Sequence, residues 1–169
     1  MRKFFLFFPF VAFSILSVVL YVQIGKDANY MPSALIGQTV PEFTLVSLTD
    51  DELVSNKDLP NQPYLINFWG TWCAACHVEH PYLVQLARSG VVIVGVDYKD
   101  KKSLAEQWLN KKGDPYRYVL MDELGHFGVD MGITGAPETF VVDSQGVVVY
   151  RHQGEINAQN WPVIEGYLQ

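Results

Sequence analysis

Residues 65–81 read Leu-Ile-Asn-Phe-Trp-Gly-Thr-Trp-Cys-Ala-Ala-Cys-His-Val-Glu-His-Pro, and the rest of the chain is organised around this stretch. It starts within a short apolar and aromatic run, Tyr64 to Trp69, which is typical of a buried strand, and it ends in a helical pattern. The two cysteines of the chain, Cys73 and Cys76, lie where the two patterns meet. Two thiols in this spacing at a strand-to-helix junction predict a redox site.

The start of a helix favours the reactive form of a thiol. Free backbone N–H groups and the positive end of the helix dipole would both stabilise a thiolate at Cys73. Cys76, one turn later, would be shielded by its own helix. The sequence therefore predicts Cys73 as the exposed, attacking thiol and Cys76 as the buried, resolving thiol. Pro81 then falls inside the helix and is expected to kink it.

The composition restricts the partners and the number of domains. A chain of 169 residues predicts one domain with additional segments. The formal net charge is −6 and there is no cluster of Lys and Arg, so a nucleic-acid partner is not expected. Two cysteines cannot form a disulfide framework, so they form a single functional pair or contribute to a metal site.

The N-terminal residues predict a membrane anchor. Arg2 and Lys3 precede an uncharged stretch, 4–24, that is long enough to cross a bilayer, with the basic residues in the cytoplasm and the remainder exported. A cleaved signal peptide is the alternative, but no small-x-small cleavage site follows the apolar run. The predicted organisation is a cytoplasmic tip and transmembrane anchor at 1–24, a polar linker at 25–36 and a folded domain at 37–169. The thiols would then face an oxidising compartment.

The folded part alternates between strand and helix patterns. We predict strands at 64–69, 91–96 and 116–121 and a hairpin formed by 138–142 and 147–150. We predict helices at about 73–88, 101–112, 124–131 and 157–168, the second with Leu104, Trp108 and Leu109 on its apolar face. This order suits a single sheet with helices on both faces.

Two motifs resemble a known family. Residues 68–76, Phe-Trp-Gly-Thr-Trp-Cys-Ala-Ala-Cys, are similar to the thioredoxin active site, and Pro81 stands where that superfamily kinks its first helix. Residues 132–140, Gly-Ile-Thr-Gly-Ala-Pro-Glu-Thr-Phe, resemble the cis-proline segment of the membrane-anchored CcmG/DsbE thiol:disulfide interchange proteins of cytochrome c maturation. The resemblance covers about residues 37–169. It implies an α/β, thioredoxin-like fold with a central mixed sheet and helices on both faces, preceded by one N-terminal transmembrane helix.

The resemblance implies a substrate-binding segment beside the redox-active disulfide. It places a cis peptide bond between Ala136 and Pro137, next to the cysteines. A cis bond there would leave the backbone of Ala136 available to pair with a substrate strand. Trp72, which directly precedes the first cysteine, would support the site. The alternative for Pro137 is an ordinary loop proline with a trans bond.

The resemblance also implies acidic groups near the cysteines. Members of this family carry carboxylates at the positions of Glu79 and Glu138. Such a carboxylate would oppose thiolate formation at Cys73 and could relay protons to or from Cys76. The alternative for Glu79 is a solvated helix residue. Asn67 stands where thioredoxin has a buried aspartate that helps to deprotonate the buried thiol, and an asparagine cannot take a proton. The alternative to a supporting role in catalysis is that Asn67 is a hydrogen-bonding core residue.

The activity implied by the resemblance is disulfide reduction outside the cytoplasm of a bacterium. The expected client is apocytochrome c or a dithiol protein of the same maturation pathway. A membrane electron donor of the DsbD/CcdA type would restore the reduced form at the inner membrane, and neither a cofactor nor a metal is expected. The alternative activity is that of a general periplasmic disulfide oxidant or isomerase.

The cysteine motif has two further interpretations. Cys73-Ala-Ala-Cys76-His77 is also the attachment motif of a c-type haem, but the preceding strand and the following βαβ pattern favour thiol chemistry. Zinc would need four tetrahedral ligands, and the adjacent Cys76 and His77 point in different directions on a helix. We therefore expect His77 and His80 to be partly exposed helix residues.

Overall fold

The computed structural model describes residues 8–23 and 34–168, and the chain divides into two compact units, residues 1–31 and 32–169. In the first unit, helix α1 covers Phe8–Gln23, and the large apolar side chains within its residues 8–21 are exposed. None of the helices in the described part of the chain is both long and apolar enough to cross a membrane. The predicted anchor and linker, 1–24 and 25–36, lie partly outside the described residues.

In the second unit, the described residues 34–168 form a single sheet with four helices. Its strands are β1 Thr44–Ser47, β2 Leu53–Ser55, β3 Tyr64–Trp69, β4 Ile93–Tyr98, β5 Tyr118–Asp122, β6 Glu138–Val142 and β7 Val148–Gln153. Its helices are α2 Ala74–Arg88, α3 Lys102–Lys112, α4 His126–Asp130 and α5 Trp161–Glu165, with a short 3-10 turn at Asn56–Asp58.

The sheet is mixed, and its strand order is β2-β1-β5-β4-β3-β6-β7. The three central strands, β3, β4 and β5, are parallel because α2 and α3 provide the crossovers between them. The outer neighbours pair antiparallel, with β6 on β3, β7 on β6, and β1 between β5 and β2. The expectation of a thioredoxin-like α/β fold with a central mixed sheet is confirmed.

Helices cover both faces of the sheet because the buried strands alternate their side chains. On β3, Ile66 and Phe68 point into one apolar cluster, which also contains Phe127 of α4. Leu65 and Trp69 point into the clusters of the opposite face. That face is covered by α2, α3 and α5 through Leu83, Leu86, Ala105, Trp108, Leu109, Trp161 and Ile164.

Two details of the predicted helices are wrong. The last helix begins only at Trp161, because Asn157 turns the chain first by accepting hydrogen bonds from the backbone N–H groups of Gln159 and Asn160. On α3, Leu104 is 46% exposed and Ala105 is buried in its place. Residues 105, 108 and 109 follow the spacing of one helix face, whereas residue 104 falls beside it.

Candidate active site

The two cysteines lie at the junction of β3 and α2, as the sequence predicts. Cys73 is the N-cap of α2, and its sulfur accepts a hydrogen bond of 3.1 Å from the backbone N–H of Cys76. The backbone N–H of Cys73 donates to the carbonyl of Gly70 at 3.1 Å, which closes the turn after β3. Cys73 and Cys76 form a disulfide. The helix thus presents backbone N–H groups and its positive end to Cys73.

Both cysteines are buried in this disulfide form. Cys73 is 4% exposed and Cys76 is 2% exposed. The expectation of an exposed Cys73 is therefore wrong for this state. The physical reason is the apolar cluster around the disulfide, to which α3 contributes Trp108 and against which Ala136 packs.

The turn before the cysteines is fixed from the end of β4. The Nε1–H of Trp72 donates to the carbonyl of Tyr98 at 3.0 Å, while its side chain remains 54% exposed. A Cβ at Gly70 would lie 2.5 Å from that nitrogen, so only glycine allows this approach. The backbone N–H and the hydroxyl of Thr71 donate to Asp100 at 2.5 and 2.6 Å. Trp72 is thus an exposed ring held in one position beside the disulfide.

Asn67 and Glu79 belong to one buried hydrogen-bond network. Asn67 donates through Nδ2 to Oε1 of Glu79 at 2.9 Å and to the hydroxyl of Thr139 at 3.0 Å. The hydroxyl of Tyr116 donates to Oδ1 of Asn67 at 3.0 Å, and the backbone N–H of Ile156 donates to Oε2 of Glu79 at 2.6 Å. The interpretation of Asn67 as a hydrogen-bonding core residue is confirmed. The interpretation of Glu79 as a solvated residue is wrong, since it is 1% exposed.

The carboxyl group of Glu79 gains or loses its proton near neutral pH. Burial raises its pKa to about 7, although the hydrogen bonds from Ile156 and Asn67 act in the opposite direction. Glu79 lies three residues after Cys76 on α2, which places the two side chains on the same side of the helix. A proton acceptor of this kind one turn from Cys76 suits proton transfer.

The peptide bond between Ala136 and Pro137 is cis, as the resemblance implies. Ala136 packs against the cluster that contains both cysteines. The carbonyl oxygen of Pro137 already accepts a hydrogen bond of 3.0 Å from the backbone N–H of Gly154. The backbone of Ala136 makes no hydrogen bond within residues 34–168. The structure thus leaves the Ala136 backbone available beside the disulfide.

Glu138 lies on the other face of the sheet from Asn67 and Glu79. It is opposite Phe68 in the β3–β6 pairing, whose alternate positions point to opposite faces. Glu138 is buried and forms an ion pair with Nε of Arg151, and it accepts from the backbone N–H of Thr134 at 2.9 Å. Arg151 also donates to the carbonyl of Gly132 at 3.0 Å. Glu138 therefore braces the segment before Pro137 instead of joining the network of Glu79.

The two helix histidines differ in exposure. His77 is exposed, and one ring nitrogen lies 2.9 Å from the carbonyl oxygen of Thr71. His80 is only 2% exposed, so the expectation of partial exposure is wrong for it. Its ring packs on Trp108 at 4.0 Å, and Nε2 lies 2.8 Å from the carbonyl of Gly113. Among the described residues, no three His, Cys, Asp or Glu side chains are grouped to hold a metal ion.

Sequence reasoning missed two residues near the site, Arg151 and Asp97. Arg151 gives no local signal, because its role depends on the pairing of β6 with β7. Asp97 does give one, since it is an acidic residue within the apolar run of β4. The strand predicted at 91–96 stops one residue before Asp97, which lies inside the observed strand β4.

The structure combines a disulfide at the N-terminus of a helix, a cis-proline beside it and a mixed sheet covered by helices. This combination defines a thioredoxin-like thiol-disulfide oxidoreductase. The family model described as Redoxin matches residues 35–168, and the chain belongs to that family.

Relatives of known name give the same class. The chain is 45% identical to the thiol:disulfide interchange protein DsbE of Vibrio cholerae, over 95% of this chain and 91% of the relative. It is 40% identical to the protein of that name from Escherichia coli K12, with the same coverage of both chains. Among solved structures, a putative DsbE from Chlorobium tepidum has a TM-score of 0.69 at 24% identity, covering 79% of this chain and 98% of the other. This chain is thus a thiol-disulfide oxidoreductase of the DsbE type.

Proposed function

We propose that this oxidoreductase reduces disulfides during cytochrome c maturation, as a domain exported to the periplasm and held at the bacterial inner membrane by residues 1–24. Its client is apocytochrome c or a dithiol protein of that pathway, and a membrane donor of the DsbD/CcdA type returns it to the dithiol form. The family resemblance of residues 132–140 and the relatives named DsbE support this proposal. Arg2 and Lys3 before an uncharged stretch support the anchor and its orientation.

The observation that carries the proposal is the position of the disulfide at the N-terminus of α2, beside the unpaired backbone of Ala136. An extended client segment can pair with that backbone, as in other cases of strand addition. The pairing would hold a client cysteine next to Cys73. A segment of this kind suits an unfolded apoprotein, whose backbone is free to pair.

The reaction follows from the chemistry of the two sulfurs. The thiolate of Cys73 attacks one sulfur of the client disulfide, forms a mixed disulfide and releases the other client sulfur as a thiolate, which takes a proton. Cys76 then attacks Cys73, which leaves the Cys73–Cys76 disulfide and releases the second client sulfur as a thiolate that takes a proton from solvent. Two electrons pass from the protein to the client, and the proton of Cys76 passes to the carboxylate of Glu79.

A direct test uses a peptide that contains a Cys-x-x-Cys-His disulfide and the reduced full chain in detergent. We expect the peptide to be reduced and the protein to become oxidised. A Cys73→Ser variant is the matched control and is expected to be inactive. If the equilibrium instead leaves the peptide oxidised and the protein reduced, the chain is an oxidant and the proposal is wrong. Mass spectrometry of the membrane-extracted protein tests the anchor, which requires an intact N-terminal segment.

A further inference from the structure

Asp97 on β4 is a buried carboxyl group that the reaction described above does not use. It is fully buried, and neither of its oxygens has a hydrogen-bond partner among the described residues. Buried carboxyl groups are normally paired or hydrogen-bonded, because burying an isolated charge is costly. A buried acid without a partner is therefore a candidate for a functional role.

The pairing of β4 places Asp97 on the face of the sheet that carries the cluster of the disulfide. Asp97 is in register with Trp69 on β3 and with Met121 on β5. Both neighbours belong to the apolar cluster that contains Cys73 and Cys76. Because neighbouring strands lie about 4.8 Å apart and residues in register share a face, the carboxyl of Asp97 enters the same side of the sheet.

The charged groups that act on Asp97 from adjacent loops are both acidic. They are Asp100, after β4, and Glu123, after β5. Burial, followed by these two charges, raises the pKa of Asp97 to about 8. In the disulfide form, Asp97 therefore holds its proton at neutral pH and becomes charged only under mildly alkaline conditions.

The remaining titratable groups of the surrounding elements do not offer a cation to Asp97. On α2, Glu79 is acidic, and the rings of His77 and His80 contact backbone carbonyls. Tyr116 lies within the influence of both Glu79 and Asp97, and burial raises its pKa well above the ordinary value. On β5, Asp122 accepts hydrogen bonds from backbone N–H groups of α4 on the opposite face. The α3 residues in the cluster, Ala105, Trp108 and Leu109, are uncharged.

We propose that Asp97 is a proton site linked to the redox state of the Cys73–Cys76 pair. Reduction creates a thiolate in the cluster that Asp97 enters, and a second negative charge in the same apolar surroundings is unfavourable. Asp97 must then be protonated whenever the thiolate is present. Asp97 acts on the sulfurs through its charge, so it is a positioning residue and not a catalytic one.

The proposed step balances in electrons and protons. Starting from the disulfide and the Asp97 carboxylate, two electrons from a dithiol donor break the S–S bond. One proton from solvent converts one sulfur to a thiol, and the other sulfur remains a thiolate. A second proton converts the carboxylate of Asp97 to the neutral acid. Client reduction reverses the sequence and releases the proton of Asp97.

The test is redox-difference infrared spectroscopy of the full chain in detergent, reduced with a dithiol at about pH 9, where Asp97 is ionised in the disulfide form. Reduction should produce the carbonyl band of a protonated carboxylic acid and remove a carboxylate band. Asp97→Asn should lose this change, and its proton uptake on reduction should fall by about one proton per molecule. The exposed Asp130→Asn is the matched control, and Glu79→Gln should also retain the band.

Isotope labelling keeps the test decisive even if Asp97→Asn does not fold. In wild-type protein made with carboxyl-13C aspartate, the new band should shift, whereas a band from a glutamate would not. A band that does not shift, a band that persists in folded Asp97→Asn, or the absence of any protonated carboxyl band after reduction would each overturn the proposal. None of these results depends on the identity of the client.

Discussion

Replacement of Glu79 by Gln should remove a specific part of the pH dependence of folding. In the folded disulfide form, burial raises the pKa of Glu79 from 4.5 to about 7. Below pH 4.5 the carboxyl is protonated in both the folded and the unfolded state. As the pH rises from there, the unfolded chain releases the proton while the folded chain retains it, so the contribution to stability is lost as the pH passes through about 7.

The size of the effect follows from the difference between the two pKa values. A change from 4.5 to about 7 corresponds to a loss of about 3 kcal/mol in the free energy of unfolding. The side chain is 1% exposed, so screening by solvent is small. Asp97 acts with the same sign, because its pKa is also raised, so the wild-type protein should lose still more stability over this range.

The assay is urea unfolding of the oxidised full chain, followed by circular dichroism between about pH 4.5 and 8. Glu79→Gln keeps an oxygen that can accept from Asn67, but its amide cannot accept from the N–H of Ile156, so a fixed loss of about 1–3 kcal/mol is expected. The informative quantity is the change in the wild-type-minus-variant difference with pH. Glu165→Gln, on the surface of α5, should behave as the wild type.

The reasoning would be refuted by a wild-type-minus-variant difference that stays constant across this range. Such a result would mean that Glu79 has the same affinity for its proton in both states. The hydrogen bonds from Asn67 and Ile156 would then offset burial completely, and Glu79 would remain charged near neutrality. Proton transfer from Cys76 to Glu79 would then have to be abandoned.

The remaining predictions concern the cysteines and the ion pair of β7. Cys76→Ser should accumulate reductant-sensitive adducts with client proteins on a non-reducing gel, and Cys73→Ser should form almost none; the opposite pattern would reverse their roles. Arg151→Gln should destabilise the domain by about 3–5 kcal/mol in urea, because it leaves Glu138 buried without its cation. A loss below about 1 kcal/mol would contradict this role. Arg151→Lys is the control and should recover part of the stability.

The strand and the helix around the cysteines could be predicted because their signals are local. β3 is a six-residue run that is apolar except for Asn67, and α2 begins directly after a residue whose sulfur can act as the N-cap. The burial of Cys73 could not be predicted in this way. It depends on Trp108, which lies 35 residues later and reaches the disulfide only through the crossover of α3.

The environment of the acidic residues also depends on contacts that are distant in the chain. Glu79 lies on a helix whose periodicity does not distinguish a core position from a solvated one. Its partners come from β3 and from Ile156, which is 77 residues away. The sequence shows Asp97 as an acidic residue within an apolar run. Only the register of β4 with β3 and β5 shows that its side chain lies on the face of the disulfide cluster.

The packing of Trp69 and Trp108 in the cluster of the disulfide has an optical consequence. The two indole rings stack with their centroids 4.7 Å apart, and both belong to the cluster that contains Cys73 and Cys76. A nearby disulfide quenches indole fluorescence by accepting an electron from the excited ring, whereas a dithiol does so far less. We therefore expect the intrinsic emission of the protein to rise when the disulfide is reduced, so that turnover can be followed in real time without a label.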